Sequence, residues 1–136
     1  EMCIRDRIKT LLQIITEGRP NYSPAKNFFS EVTDLSVPLH PAIVCKDGFR
    51  VSVQARCTSY CIPRDNIGPY THVELGFPSE APIPEIMYYA EDPSRPTNTV
   101  YGYVPVDLVQ KLIDAHGGEE TFHLQVGPLD LEIYNP

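Results

Sequence analysis

The chain has 136 residues, 42% apolar and 21% charged, which excludes wholesale disorder and is enough to bury a core without metal or disulfide help. Eighteen acidic against eleven basic side chains leave a formal charge of -7, the wrong sign for a general nucleic-acid binder. No apolar run approaches the roughly 18 residues of a membrane span.

The string Glu1-Met2-Cys3-Ile4-Arg5-Asp6-Arg7 resembles the translation of a sequencing-library transposon adapter. It is read as a scar, so one domain is expected over residues 8–136. Ile8, Leu11, Leu12 and Ile15 stand at helical spacing, with Gly18 as a stop. Ser23-Pro24 predicts a second short helix, with Ala25, Phe28, Phe29 and Val32 on its apolar face. The proline-rich run Val37 to Pro41 separates these helices from the first strands.

Next comes a hairpin. The segments 43–46 and 49–55 flank Asp47-Gly48, which suits a two-residue primed turn. On the second strand Phe49, Val51, Val53 and Ala55 point one way, and Arg50, Ser52, Gln54 and Arg56 the other. Further strands are predicted over 70–77, where Val73, Leu75 and Phe77 alternate with His72, Glu74 and Gly76, and over 99–104. Residues 78–98 carry five prolines and read as an ordered functional loop with a helical turn near 85–91. A helix is predicted over 105–116, with Leu108, Val109, Leu112 and Ile113 as its buried stripe and Gly117-Gly118 past its end. Two last strands, 122–126 and 129–134, flank Gly127-Pro128.

Chemistry by motif is sparse. Cys57 and Cys61 stand four apart with His72 beyond, and Cys45 lies on the hairpin, but the second ligand pair of a zinc site is missing. Buried thiols in a reduced, cytosolic protein are the plainer reading. His72-Val73-Glu74 has half of a zinc deaminase signature with its cysteines on the wrong side, so a surface ion pair on one strand face is expected. There is no nucleophile elbow, Walker loop or dinucleotide fingerprint, and Glu91-Asp92 reads as a cap or a solvated corner. No cofactor, no metal and no catalytic residue is assigned.

The charge map says more. Lys46, Arg50, Arg56 and Arg64 face only Asp47 in their segment, whereas 65–92 holds six acids and no Lys or Arg. Arg50, Gln54 and Arg56 on one strand face offer forked donors to phosphate oxygens. Tyr60, Tyr70, Tyr88, Tyr89, Tyr101 and Tyr103 lie close by in sequence. Arginine forks with aromatic faces suit a small nucleotide, its base stacked and its phosphate paired. The expected ligand site is therefore Arg50, Gln54, Arg56, Tyr60, Arg64 and Tyr70. The competing reading makes the arginines a solvated sheet face and the tyrosines core and rim.

The runs 46–55, Tyr60-Cys61-x-Pro63-Arg64, 68–78, Tyr89-Ala90-Glu91-Asp92-Pro93 and 99–105 together resemble a family of small clostridial-type phage proteins, over roughly residues 37–118. The resemblance implies a phage origin and no particular activity. By analogy of size, origin and charge map, the expected function is sequestration, without cleavage, of a small nucleotide immune signal. The signals of the Thoeris and cyclic-oligonucleotide systems are examples, and the place would be the cytoplasm of the infected bacterial host. The alternative is an acidic protein-protein inhibitor of a defence enzyme or nuclease, and the third reading is a small hydrolase of the same signals. The expected fold is a single α+β domain: an antiparallel sheet of about five strands, two short N-terminal helices and one helix packed on the sheet. The expected partners are the nucleotide and other copies of the chain, as a dimer or higher homo-oligomer, with no polynucleotide and no membrane.

Overall fold

A computed structural model describes residues 8–19, 39–120, 122–126 and 129–134. Residues 1–7 and the helix expected from Ser23 lie outside the described residues.

The architecture is a small mixed α+β domain. Strands β2 (Ile43–Val44), β3 (Arg50–Gln54), β4 (His72–Gly76) and β5 (Val100–Pro105) form an antiparallel sheet in that order. Strands β1 (Ile8–Thr10), β6 (Phe122–Val126) and β7 (Leu129–Tyr134) form a second antiparallel sheet, ordered β1-β6-β7. The strands thus divide between two sheets instead of joining one of about five. The helices among the described residues are α1 (Leu11–Glu17), α2 (Pro84–Met87) and α3 (Val106–Ala115).

The helix expected from Ile8 starts only at Leu11. Thr10 is extended, with φ -69° and ψ 156°. Its hydroxyl accepts the Gln13 N–H at 3.1 Å, and the Gln13 side chain accepts the Thr10 N–H at 2.9 Å. That reciprocal cap ends the strand and begins the helix on the same residue. The next two orphan N–H groups, of Leu11 and Leu12, donate to the two oxygens of buried Glu119 at 2.8 and 3.0 Å.

The hairpin is where the pattern puts it, but its turn is longer by one residue. Cys45 N–H donates to the Phe49 carbonyl, and Gly48 N–H to the Cys45 carbonyl. Lys46, Asp47 and Gly48 form the loop. The type I′ turn that Asp-Gly suits needs positive φ at both central positions. Only Gly48 has it, at +96°, while the Asp47 carboxylate accepts the Phe49 N–H. The inward residues Phe49, Val51, Val53 and Ala55 are all buried. With Val73, Leu75, Tyr101, Val104 and the Val109, Leu112 and Ile113 face of α3 they make the core.

Phe77 breaks the alternation expected of its strand. Its φ is +49° and it is 58% exposed, so the inward pattern ends at Leu75. The 78–98 stretch is ordered around α2. Ile86 is fully buried in the core, and Glu85 pairs with Lys111 on α3 at 2.5 Å. No helix among the described residues is long and apolar enough to cross a membrane.

Candidate functional site

The site grows from an irregularity in β5. Val73 pairs with Val104 and Leu75 with Tyr101, so Gly102 and Tyr103 together face the single residue Glu74. This bulge reverses the alternation. Tyr101 stays fully buried, whereas Tyr103, two residues on, is 42% exposed. Tyr103 also takes a φ of +56°, a left-handed conformation that costs a non-glycine residue about 1–2 kcal/mol. The strain aims its ring out of the sheet.

Two chain segments approach β5 and leave a gap between them. On one side Tyr103 N–H donates to the Tyr60 carbonyl at 3.0 Å, and Tyr60 N–H donates to the Glu74 carboxylate at 2.8 Å. The Tyr60 segment approaches so closely that a Cβ on Gly102 would lie 3.2 Å from the Tyr60 Cβ. On the other side Glu91 N–H donates to the Val100 carbonyl at 2.9 Å, and Ala90 bridges Tyr101. Between them opens a cleft of about 300 Å³ lined by Tyr60, Tyr89, Glu91, Val100, Gly102 and Tyr103. The Tyr60 and Tyr103 rings meet at 5.7 Å, tilted by 43°. The Arg64 guanidinium lies 5.2 Å from the centre of the Tyr60 ring, a cation–π contact with a cleft residue, although Arg64 does not itself line the cleft.

Of the six residues expected to form a ligand site, Tyr60 and Arg64 come together here. Arg50 sits at the other end of β3, exposed, with its backbone paired to Ser79. Gln54 is buried and spends its amide on the backbone of His40, accepting from His40 N–H and donating to the His40 carbonyl. Arg56 is half-buried, and its carbonyl accepts from Ser59 N–H and the Cys61 thiol. Tyr70 is 4% exposed and donates its hydroxyl to the Asp65 carbonyl at 2.7 Å. Burial pushes that hydroxyl's pKa far up, so it works as a structural donor. The strand face is therefore not a row of free donors: its middle is covered by the chain at His40.

The expected ligand site omits the other five cleft residues, Tyr89, Glu91, Val100, Gly102 and Tyr103. Tyr89 and Tyr103 stood among the nearby tyrosines, but strict alternation would have placed Tyr103 with Tyr101. Asp92 is the turn-former of the acidic pair, accepting from Ser94 N–H and hydroxyl. Glu91 lines the cleft and is exposed.

Other candidates resolve into structure. Cys45, Cys57 and Cys61 are buried thiols. Burial pushes the Cys45 and Cys61 thiols up to about 11. No group of three His, Cys, Asp or Glu that could hold a metal occurs among the described residues. His72 and Glu74 do not pair with each other: His72 Nδ1 meets the Thr71 hydroxyl at 2.9 Å, and Glu74 holds Tyr60.

Compared with protein-family models, curated proteins and solved structures, the chain matches none.

Proposed function

We propose that this protein binds a small nucleotide in the tyrosine cleft and sequesters it without cleaving it. The observation that carries the reading is the strained Tyr103, which a bulge turns out of the sheet to face Tyr60 beside the Arg64 guanidinium. Strain of this kind persists where the surrounding structure holds it, and it concentrates at ligand sites. Flat rings suit a base, at about 1–3 kcal/mol per stacked base. Arg64 is exposed beside them and offers the phosphate a planar fork of donors. With a volume near 300 Å³ the cleft is at the small end of ligand sites. One base with its sugar and phosphate is the natural load, and a second copy of the chain would add enclosure for a larger cyclic signal.

On this reading the phage-type resemblance supplies the purpose, removal of a host immune signal, and the -7 charge keeps polynucleotides away. The test is a thermal-shift screen against cyclic dinucleotides, cyclic trinucleotides and cyclised ADP-ribose isomers. A ligand at a hundredfold excess over its Kd adds about 2.7 kcal/mol. The bound compound should be recovered intact after heat denaturation, and a cleaved product would make the protein a hydrolase. Arg64→Ala should weaken binding roughly ten- to more than a hundredfold, the loss of a charge-assisted pair of about 1.5–3 kcal/mol. Tyr103→Asn should fold as well as the natural chain, since Asn tolerates the left-handed conformation, but lose the stack. No shift with any compound of the panel refutes the proposal.

A further inference from the structure

We infer that Glu91 reads the base, and that the base is guanine. This rests on the nucleotide reading of the cleft and adds the ligand's identity. Glu91 lines the cleft where residues 90–91 run antiparallel beside β5. Its backbone is pinned on both sides, by its own N–H on the Val100 carbonyl and by Asp92 N–H on the Thr99 hydroxyl. Its carboxylate is exposed and forms no hydrogen bond or ion pair with any described residue. The neighbouring acids are committed: Glu74 to Tyr60 N–H and Asp92 to Ser94.

An ionised carboxylate only accepts hydrogen bonds, through two oxygens side by side. Its best planar partner presents two parallel N–H donors. Guanine has such an edge, in N1–H and the N2 amino group. Hypoxanthine keeps N1–H and lacks the amino group. Adenine sets an acceptor, N1, beside its amino group, and that lone pair would face the carboxylate. The charges also orient the ligand: Glu91 repels phosphate from its end of the cleft, and Arg64 attracts phosphate beside Tyr60. The purine plane would then lie among Tyr60, Tyr89 and Tyr103.

The chain has eight tyrosines and no tryptophan, so quenching of tyrosine emission on stacking is a direct readout. The experiment titrates GMP, IMP and AMP into the natural chain and into Glu91→Gln. GMP should bind at least tenfold tighter than IMP, and AMP weakest. In Glu91→Gln the GMP advantage should shrink to within about threefold, with circular dichroism unchanged. Equal affinities for GMP, IMP and AMP in the natural chain overturn the inference and leave a nucleotide site standing. Absence of quenching and of binding by calorimetry with all three overturns both. N-acetyl-arginine amide binding in a Glu91-dependent way, with no nucleotide bound, would also overturn both and make the cleft a cation site.

Discussion

Replacing Glu119 tests how the N-terminal helix is held to the domain. Glu119 is 6% exposed, and its carboxylate accepts from two successive backbone donors, Leu11 N–H and Leu12 N–H, more than a hundred residues away in sequence. Thr10 already caps Gln13, so Glu119 completes the first turn of α1. In Glu119→Ala both N–H groups lose their acceptor, at about 1–3 kcal/mol each for a buried donor left unpaired. Part of that is offset, because burial raises the Glu119 pKa above 4.5 and its ionised form is therefore kept at a cost. The expected net loss is about 2–4 kcal/mol, or roughly 10 °C in Tm for a domain of this size. Glu119→Gln keeps one acceptor and turns an amide donor toward the other N–H, so its loss should be smaller. The pH dependence has a definite sign. A carboxyl whose folded pKa is raised is protonated more readily folded than unfolded, so its contribution improves as pH falls from above the folded value toward 4.5. Glu119→Gln lacks that gain, and its deficit relative to the natural chain should widen over this window. Urea melts followed by far-UV circular dichroism at several pH values measure it. A Glu119→Ala chain within about 2 °C of the natural Tm, or a deficit that narrows toward pH 4.5, would refute the reasoning.

Two further outcomes are expected from the packing. Gly18 has φ +81°, and an added Cβ would lie 2.1 Å from the Ile67 carbonyl oxygen, whereas at Gly48, with φ +96°, an added Cβ meets nothing within 4 Å. Gly18→Ala should thus cost more than about 3 kcal/mol and Gly48→Ala only the strain of about 1–2 kcal/mol, in paired chemical melts; equal losses would show that the contact with Ile67 does not matter. Cys45, Cys57 and Cys61 should resist a thiol reagent at about pH 8 in the native state and react fully in denaturant, because all three are buried and two are pushed up to about 11. Peptide mapping by mass spectrometry reads this site by site, and native labelling of Cys45 or Cys61 contradicts it.

The sequence by itself determined most of the element order. Period-two patterns placed β3 and β4, and the helical stripe with its glycine stop placed α3 within a residue at each end, because both signals are local and strong. Residue type and charge also singled out Tyr60, which lines the cleft, and Arg64, which the fold sets against the Tyr60 ring. Only the tertiary structure decided where alternation fails. The extra residue at Gly102-Tyr103 is defined by the strand beside it, and no window of sequence contains that partner. The same holds for Gln54, which looks free on its strand until His40 folds over it, and for Tyr70, whose hydroxyl finds the Asp65 carbonyl inside the domain. Glu119 reads as one more surface acid in an acidic tail, yet it caps a helix at the far end of the chain. Side-chain type and spacing specify local geometry; which face is covered, and by what, is set by contacts between segments distant in sequence.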